Sequence, residues 1–588
     1  MKVLKKRRIV SLLVIMCMVV SMLSGCKSSN SKNKNVATDA NETKQDATDT
    51  KDTTADDKTA DTVDTAEDLE PITFTFYNAD GSREDPWTDP IAQEITKQTG
   101  VKLEMDYPVD GDDQRISLMI ASEEYPDLIF AKGDVDALVA AGAMIDMSDL
   151  IDQYGPNIKA LYGEEYNKLR YTKDDPGIYQ LCSAGVGNIP YRTSGTAQLQ
   201  YAVLEANNYE IPKTLAQYEK MIKDYKAANP TIDGLDTIGI TLSCSDWHWY
   251  ITLANPSGFI ANASPDNGQW IVNDANGYEA TYKHASEGQK EYYQWLNRMY
   301  LEGILDPDFA TQTHDDYIAK LSTGRVLAIM DADWDYADAE TVLKSEGKSE
   351  RTYCGLPITM NEDQKAPSLM NQGLTVGWGV GITKACKDPV RAVKYLNWLC
   401  SDEAQVLVGW GIKDVNYFLD EEGHRYRTAE EEKLSQEDTE YRYNTGIGIH
   451  NYPFPTYGDG VVDPTGSTYT TNSKENVIKN YTDAQKKAVD AWGVELLTEI
   501  FPQADEFDIP DYAPVYKQNL TEEFNAYATK LDEIAWSGLI SCVMAKEGGF
   551  DKAWDKMQAD FEKAGVVKAS ELLTEQIQQQ VDFWSTSN

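Results

Sequence analysis

The sequence is poor in the groups on which metal and redox chemistry usually rest. Its 588 residues hold five histidines, at 248, 284, 314, 424 and 450, and none stands at the close His–His spacing of a zinc helix. Beyond the first 26 residues the cysteines are Cys182, Cys244, Cys354, Cys386, Cys400 and Cys542, with no C-x-x-C pair. A chain this long needs no staples, so they read as free thiols, with pairing left open for a protein outside the cell. No metal and no cofactor is expected. The G-x-S-x-G, P-loop and dinucleotide fingerprints are missing as well. Basic residues are scarce, 54 Lys and Arg against 96 Asp and Glu, a formal charge of −42. Such a surface repels phosphate backbones and anionic headgroups, which excludes nucleic acid as a partner. Long apolar runs are lacking too, except for one at the start.

That run extends from Ile9 to Leu23, behind Lys2, Lys5, Lys6, Arg7 and Arg8. A basic stretch followed by a short apolar one is the pattern of an export signal rather than a lasting membrane span. It ends in Leu23-Ser24-Gly25-Cys26, which resembles the lipobox of bacterial lipoproteins. The resemblance implies cleavage after residue 25 and lipidation of Cys26. Residues 26–70 contain no aromatic side chain and only Val36, Val63 and Leu69 as large apolar ones. They cannot bury enough surface to offset ordering entropy, so they read as a disordered linker reaching roughly 35–40 Å. The exported chain has 49 basic and 96 acidic residues, a charge of −47, and remains acidic in its body.

From Pro71 the texture changes. "ITFTFYNADG" alternates like a strand and breaks at Asn78–Gly81; "DPIAQEITKQTG" has helical spacing and a glycine stop; "VKLEMDYPV" reads as a second strand and Leu128–Phe130 as a third. Strands joined by helical crossovers predict a parallel α/β lobe, whose ligands gather beyond the carboxyl ends of strands. The ~518 residues after the linker exceed one core, so two large lobes are expected.

The ordered series "FTFYNADG", "YPDLIFAKGDVDALVAAGAMIDMSDL", "GIYQLCSAG", "YYQWLNRMYLEGILDPDF" through "GRVLAIMDADW", and "VGWGVGITKACKDPVRAVKYLNWL" resembles the extracellular solute-binding proteins of ABC importers, over about 72–412. It is most similar to the large lipid-anchored, aldouronate- or LplA-like branch of Gram-positive-type bacteria. The resemblance implies a two-lobed periplasmic-binding-protein fold of type II, each lobe a mostly parallel sheet flanked by helices. The ligand cleft lies between the lobes. Lobe 1 is expected over 72–182 and 336–395. Lobe 2 is expected over 183–335 and 396–588, with an insertion at about 413–540 and helices at the end. Hinges are expected near Gly177–Ser183 and Gly355–Ile358. The implied protein is a monomer tethered to the outer face of the cell membrane. It captures a carbohydrate, an oligosaccharide by expectation, and delivers it to permease subunits without being an enzyme.

A sugar site combines aromatic platforms with carboxylates, amides and ammonium groups. Trp334 ends a predicted strand amid Asp331, Asp333 and Asp335, too polar a setting for a core residue, and the family resemblance places a sugar-stacking tryptophan there. "CSDWHWY" offers Trp247 and Trp249 on one side of an extended segment, as a platform or as a buried strand face. Trp378 lies in a glycine-rich strand with Gln372 upstream, and Trp87 follows the first strand's loop. Asp80 and Asp134 match family positions in loops after strands, with Lys132 between them, whereas Asp127 reads as structural. Two other classes compete: a secreted glycoside hydrolase, for which no activated carboxylate pair is marked, and a surface carbohydrate adhesin, for which no repeats appear.

Overall fold

The computed structural model describes residues 69–588 apart from 82–86, 109–113, 184, 194, 287 and 587–588. Cys26, the segment 1–25 and the linker up to residue 68 lie outside the described residues.

Two sheets carry the fold. The first contains β1 (Ile72–Asn78), β2 (Val101–Asp106), β3 (Leu128–Phe130) and β4 (Leu181–Cys182). The second contains β5 (Gly195–Gln200), β6 (Ile238–Ile240), β7 (Val326–Ala332) and β8 (Tyr353–Leu356). The chain then returns to the first sheet as β9 (Gly379–Ile382). Strand order is β2-β1-β3-β9-β4 in the first sheet and β8-β5-β7-β6 in the second. In the first, β1 runs parallel to β2 and β3, while β9 lies antiparallel to β3 and β4. In the second, β7 is parallel to β6 and antiparallel to β5. The two-lobed α/β architecture is the one expected, but the sheets are mixed rather than mostly parallel: β9 runs against both its neighbours in the first, and β5 against both its neighbours in the second.

Local chemistry sets the elements as the sequence reading anticipated. Helix Pro90–Thr99 starts where Asp89 accepts the amide of Ala92 at 3.0 Å and stops at Gly100, whose φ of 69° suits a residue without Cβ. Asp127 ties β1 to β3 by accepting from the Thr75 amide and hydroxyl at 2.8 and 2.9 Å, a structural role. Each sheet has its own core. Phe74, Phe76, Ile91, Leu103 and Phe130 anchor the first, and Leu199, Tyr218, Leu253, Tyr292 and Leu327 the second. Each of these aliphatic or phenyl side chains contributes ~1.5–3 kcal/mol on burial.

The lobe boundaries differ from those expected. Residues 336–358 belong to the second lobe, because β8 pairs with β5 from Tyr353↔Gln200 to Leu356↔Ala197. Residues 396–457 pack on the first: Leu396, Leu407, Tyr441, Ile447 and Phe454 share its core, and the Phe454 ring lies 5.5 Å from Phe76. An apolar strand or helix carries no local mark of the sheet it will join. The closing helices Glu522–Val543, Phe550–Ala564 and Val566–Thr586 do pack on the second lobe, although Phe583 and Trp584 reach the first core. The six cysteines of the body form no disulfide among the described residues; five are buried, and burial pushes the Cys244 and Cys354 thiols up to about 12. Among the described residues no helix is long and apolar enough to cross a membrane.

Candidate functional site

Sheet register places three of the expected residues in one row. Asn78 pairs with Phe130, and Phe130 with Val380. Asp80, Lys132 and Trp378 each stand two positions beyond those partners, so they emerge side by side at the carboxyl ends of β1 and β3. Lys132 Nζ is 2.5 Å from Asp80 Oδ1 and 5.1 Å from the centre of the Trp378 ring. Lys132 adopts φ 50°, an uncommon conformation for a residue with a side chain.

Two further segments, both from the expected insertion, complete this cluster. Tyr452 donates its hydroxyl to Asp80 Oδ2 at 2.7 Å and packs edge-on against Phe130 at 5.5 Å. Burial, reinforced by the Asp80 carboxylate, raises its phenol well above the ordinary value. Lys517 Nζ also lies 5.1 Å from the Trp378 ring centre, with Tyr516 at the ring's edge. The approach is close because Gly377, at φ 89°, leaves the Lys517 carbonyl the space a Cβ would take. Burial lowers the Lys517 ammonium. The indole N–H of Trp378 is buried with no hydrogen-bond partner among the described residues, a donor in want of an acceptor.

On the second lobe the carboxyl ends of β6 and β7 lie side by side because the two strands are parallel. The segments leaving them carry Trp247 and Trp334. These indoles are 53% and 59% exposed, their planes are 12° apart and their centres 6.2 Å apart. More than half of each indole meets water, although His248 covers part of Trp247. The two indoles head a column of rings. His248 stacks under Trp247 at 4.0 Å, His314 under His248 at 4.0 Å, and Tyr317 under His314 at 6.0 Å. Tyr317 donates to Asp331 Oδ2 at 2.7 Å. Burial would lower the His248 imidazole, but the carboxylates of Asp335 and Asp246 outweigh it and raise its pKa. Burial would likewise raise Asp335, and His248 and His314 instead hold it down at about 2.

Two expected tryptophans are elsewhere. Residues 247–249 form a turn into the π-helix Tyr250–Ala254, not an extended segment, so Trp247 and Trp249 do not share a face. Trp249 is 2% exposed and lies parallel to Trp536 at 6.1 Å, inside the second core. Trp87 is 5% exposed, donates Nε1 to Thr96 Oγ1 at 2.9 Å and meets His450 edge-on. Both are packing residues. Asp134 is exposed on the turn after Lys132, and it is Asp136 that accepts the neighbouring Tyr171 hydroxyl, at 2.8 Å. Gln372 is half-buried on the segment leading to Trp378.

Tyr452, Tyr516, Lys517, His314 and Asp335 were not singled out as ligand residues by the sequence. The first three sit in loops whose docking only the folded chain reveals. The last had a usable signal: Trp247-His248 and Trp334-Asp335 each couple an aromatic face to a polar neighbour.

Two lobes on separate sheets, each presenting aromatic and charged groups beyond its parallel strand ends, define a two-lobed solute receptor. The chain belongs to the bacterial extracellular solute-binding protein family, whose profile matches residues 90–409. It is 27% identical over 266 residues to the fructooligosaccharide ABC transporter substrate-binding protein FusA of Streptococcus pneumoniae serotype 4, a match spanning 43% of this chain and 48% of that protein. An uncharacterised protein of Niallia circulans is 26% identical over 135 residues, or 22% of this chain and 52% of that one. The chain thus spans about half the length of the curated relatives it matches. Among solved structures, an EF-hand mutant of FusA of S. pneumoniae in complex with fructo-nystose superposes with a TM-score of 0.62 at 18% identity, over 88% of this chain and all of that one. A solute-binding protein of Bifidobacterium longum infantis that binds HMO gives 0.62 at 16% identity, over 88% and 99%. At such identities these likenesses establish the fold.

Proposed function

We propose that this chain is the receptor of an ABC importer, capturing an oligosaccharide between its lobes and handing it to a membrane permease. The observation that carries the reading is the exposed, parallel Trp247–Trp334 pair at the strand ends of the second lobe. Sugar rings have apolar faces that such indoles cover and hydroxyl rims that groups like Asp80 and Lys132 can meet. The relatives named for fructooligosaccharide and HMO binding favour the same ligand class. Ligand shifts the lobes toward a closed state that the permease recognises, by differential binding rather than by chemistry. Leu181–Cys182 and Tyr353–Leu356, which overlap the expected hinges Gly177–Ser183 and Gly355–Ile358, are paired sheet strands, so the crossings that join the two sheets, 183–194 and 357–378, are taken as the hinges instead.

A screen of fructo-, xylo-, manno- and malto-oligosaccharides by thermal shift tests this. A true ligand at a hundred times its Kd stabilises the protein by ~2.7 kcal/mol, and chromatography of the mixture finds the sugar intact. Product accumulation would establish the hydrolase instead.

Attachment to the outer membrane face through Cys26 belongs to the same proposal, since a receptor beside its permease works at high local concentration. Two acyl chains anchor stably where one does not. Cys26→Ala is expected to release the protein into the medium or to block its processing, as seen by fractionation and immunoblot. A variant that is processed normally and stays in the membrane fraction would remove the anchor from the reading.

A further inference from the structure

Beneath the paired indoles, three side chains converge in an arrangement that sugar stacking does not require. His314 Nε2 lies 3.1 Å from Asp335 Oδ1, and His248 Nε2 lies 3.5 Å from the same oxygen. One ligand atom from each of the three residues falls within 4.8 Å of the other two. Donors bound tetrahedrally at ~2.0–2.1 Å stand about 3.3 Å apart, between the two distances seen.

The surroundings favour an ion over a simple ion pair. His248 is held from behind, with Nδ1 2.5 Å from Asp246 Oδ1, which leaves Nε2 to face the cluster. A carboxylate behind an imidazole is the common outer support of a metal-binding histidine, orienting the ring and raising its basicity. Asp335 Oδ2 is buried and has no hydrogen-bond partner among the described residues. Buried polar atoms left in that state usually mark a missing partner. Linear spacing hid the cluster, since its residues come from three separate segments.

We propose that His248, His314 and Asp335 hold one first-row divalent metal ion of the zinc class. Two imidazoles and one carboxylate suit such an ion, whereas calcium and magnesium call for oxygen ligands alone. The two imidazoles now lie parallel, 5° apart. A nitrogen lone pair lies in its ring plane, so with His248 fixed by Asp246 it is the His314 ring that turns about its Cβ–Cγ bond to aim at the ion, a torsion that is broad for histidine. His248 directly follows Trp247 and Asp335 directly follows Trp334. The ion therefore ties together the two segments that carry the indoles, setting their spacing before any ligand arrives.

Zinc titrated calorimetrically into the metal-stripped, tag-free full-length protein is expected to bind one ion per chain. His314→Ala should weaken that binding by at least about a hundredfold, and Asp246→Asn, which removes only the outer support, by about ten- to a hundredfold. His424→Ala, at an exposed histidine far from the cluster in sequence, should leave it unchanged. Circular dichroism and a melt without metal confirm that each variant folds, and Asp335→Asn, nearly identical in shape, repeats the loss should His314→Ala not fold. The titration needs no sugar, so it stands or falls apart from the proposed transport role. Absence of one-to-one uptake overturns the site, as does zinc binding that survives both His314→Ala and Asp335→Asn.

Discussion

Replacing Trp334 with alanine is expected to weaken oligosaccharide binding by roughly ten- to a hundredfold while the empty protein melts almost as before. The ring is 59% exposed, so little burial is lost when it goes. Surface substitutions of this kind usually stay within about 0.5 kcal/mol of neutral. The ligand loses an aromatic contact commonly worth ~0.5–1.5 kcal/mol, together with the apolar area the indole covered. Trp247→Ala should behave similarly. The double variant should fall short of the product of the two, because parallel rings 6.2 Å apart serve the same surface and neighbouring sites are rarely additive. Calorimetric titration of the best sugar from the screen, beside melts without ligand, measures both quantities. Normal binding with a much lower melting point would make Trp334 a packing residue. No change in either would move the site to the Asp80–Lys132–Trp378 cluster.

Trp249→Ala should do the reverse. Its indole is buried in the second lobe, parallel to Trp536 of helix Glu522–Val543, and Trp536 Nε1 donates to the Cys244 carbonyl at 2.9 Å just upstream. Truncation leaves a cavity that the surrounding helices fill only in part, at a cost of ~3–5 kcal/mol. Urea denaturation followed by circular dichroism should show an earlier transition for this variant, and the folded fraction should bind sugar with wild-type affinity. Two tryptophans separated by one residue would then carry opposite phenotypes. A variant that keeps its stability but loses the ligand would return Trp249 to the binding surface.

That pair shows how far the sequence could be read. In "CSDWHWY" the two indoles have equivalent local settings, and alternation put them on one side. The chain instead turns into a π-helix there, and one of the two is covered by a helix from far along the sequence. No local pattern predicts that cover. The exposure of Trp334 was legible from its charged neighbours, although Asp331 and Asp335 are themselves buried and it is the indole that meets solvent. Trp87 was misleading, since a tryptophan after a strand's loop can fold back as readily as it can project, and the acceptor for its N–H, Thr96, lies one helix further on. Asp80 and Lys132 were visible as residues after strands, but their ion pair needed the register of β1 against β3.

The sequence by itself determined the alternation of strands and helices, the need for two cores and membership of a solute-receptor family, because periodicity, caps and chain length are local or additive properties. The tertiary structure decided which lobe owns 336–358 and 396–457, which tryptophans meet solvent, and that Tyr452 and Lys517 close on the first lobe's row. It also brought His248, His314 and Asp335 together. Each of those outcomes depends on contacts between segments distant along the chain, whose free energy comes from surfaces buried against one another rather than from any property a single segment carries.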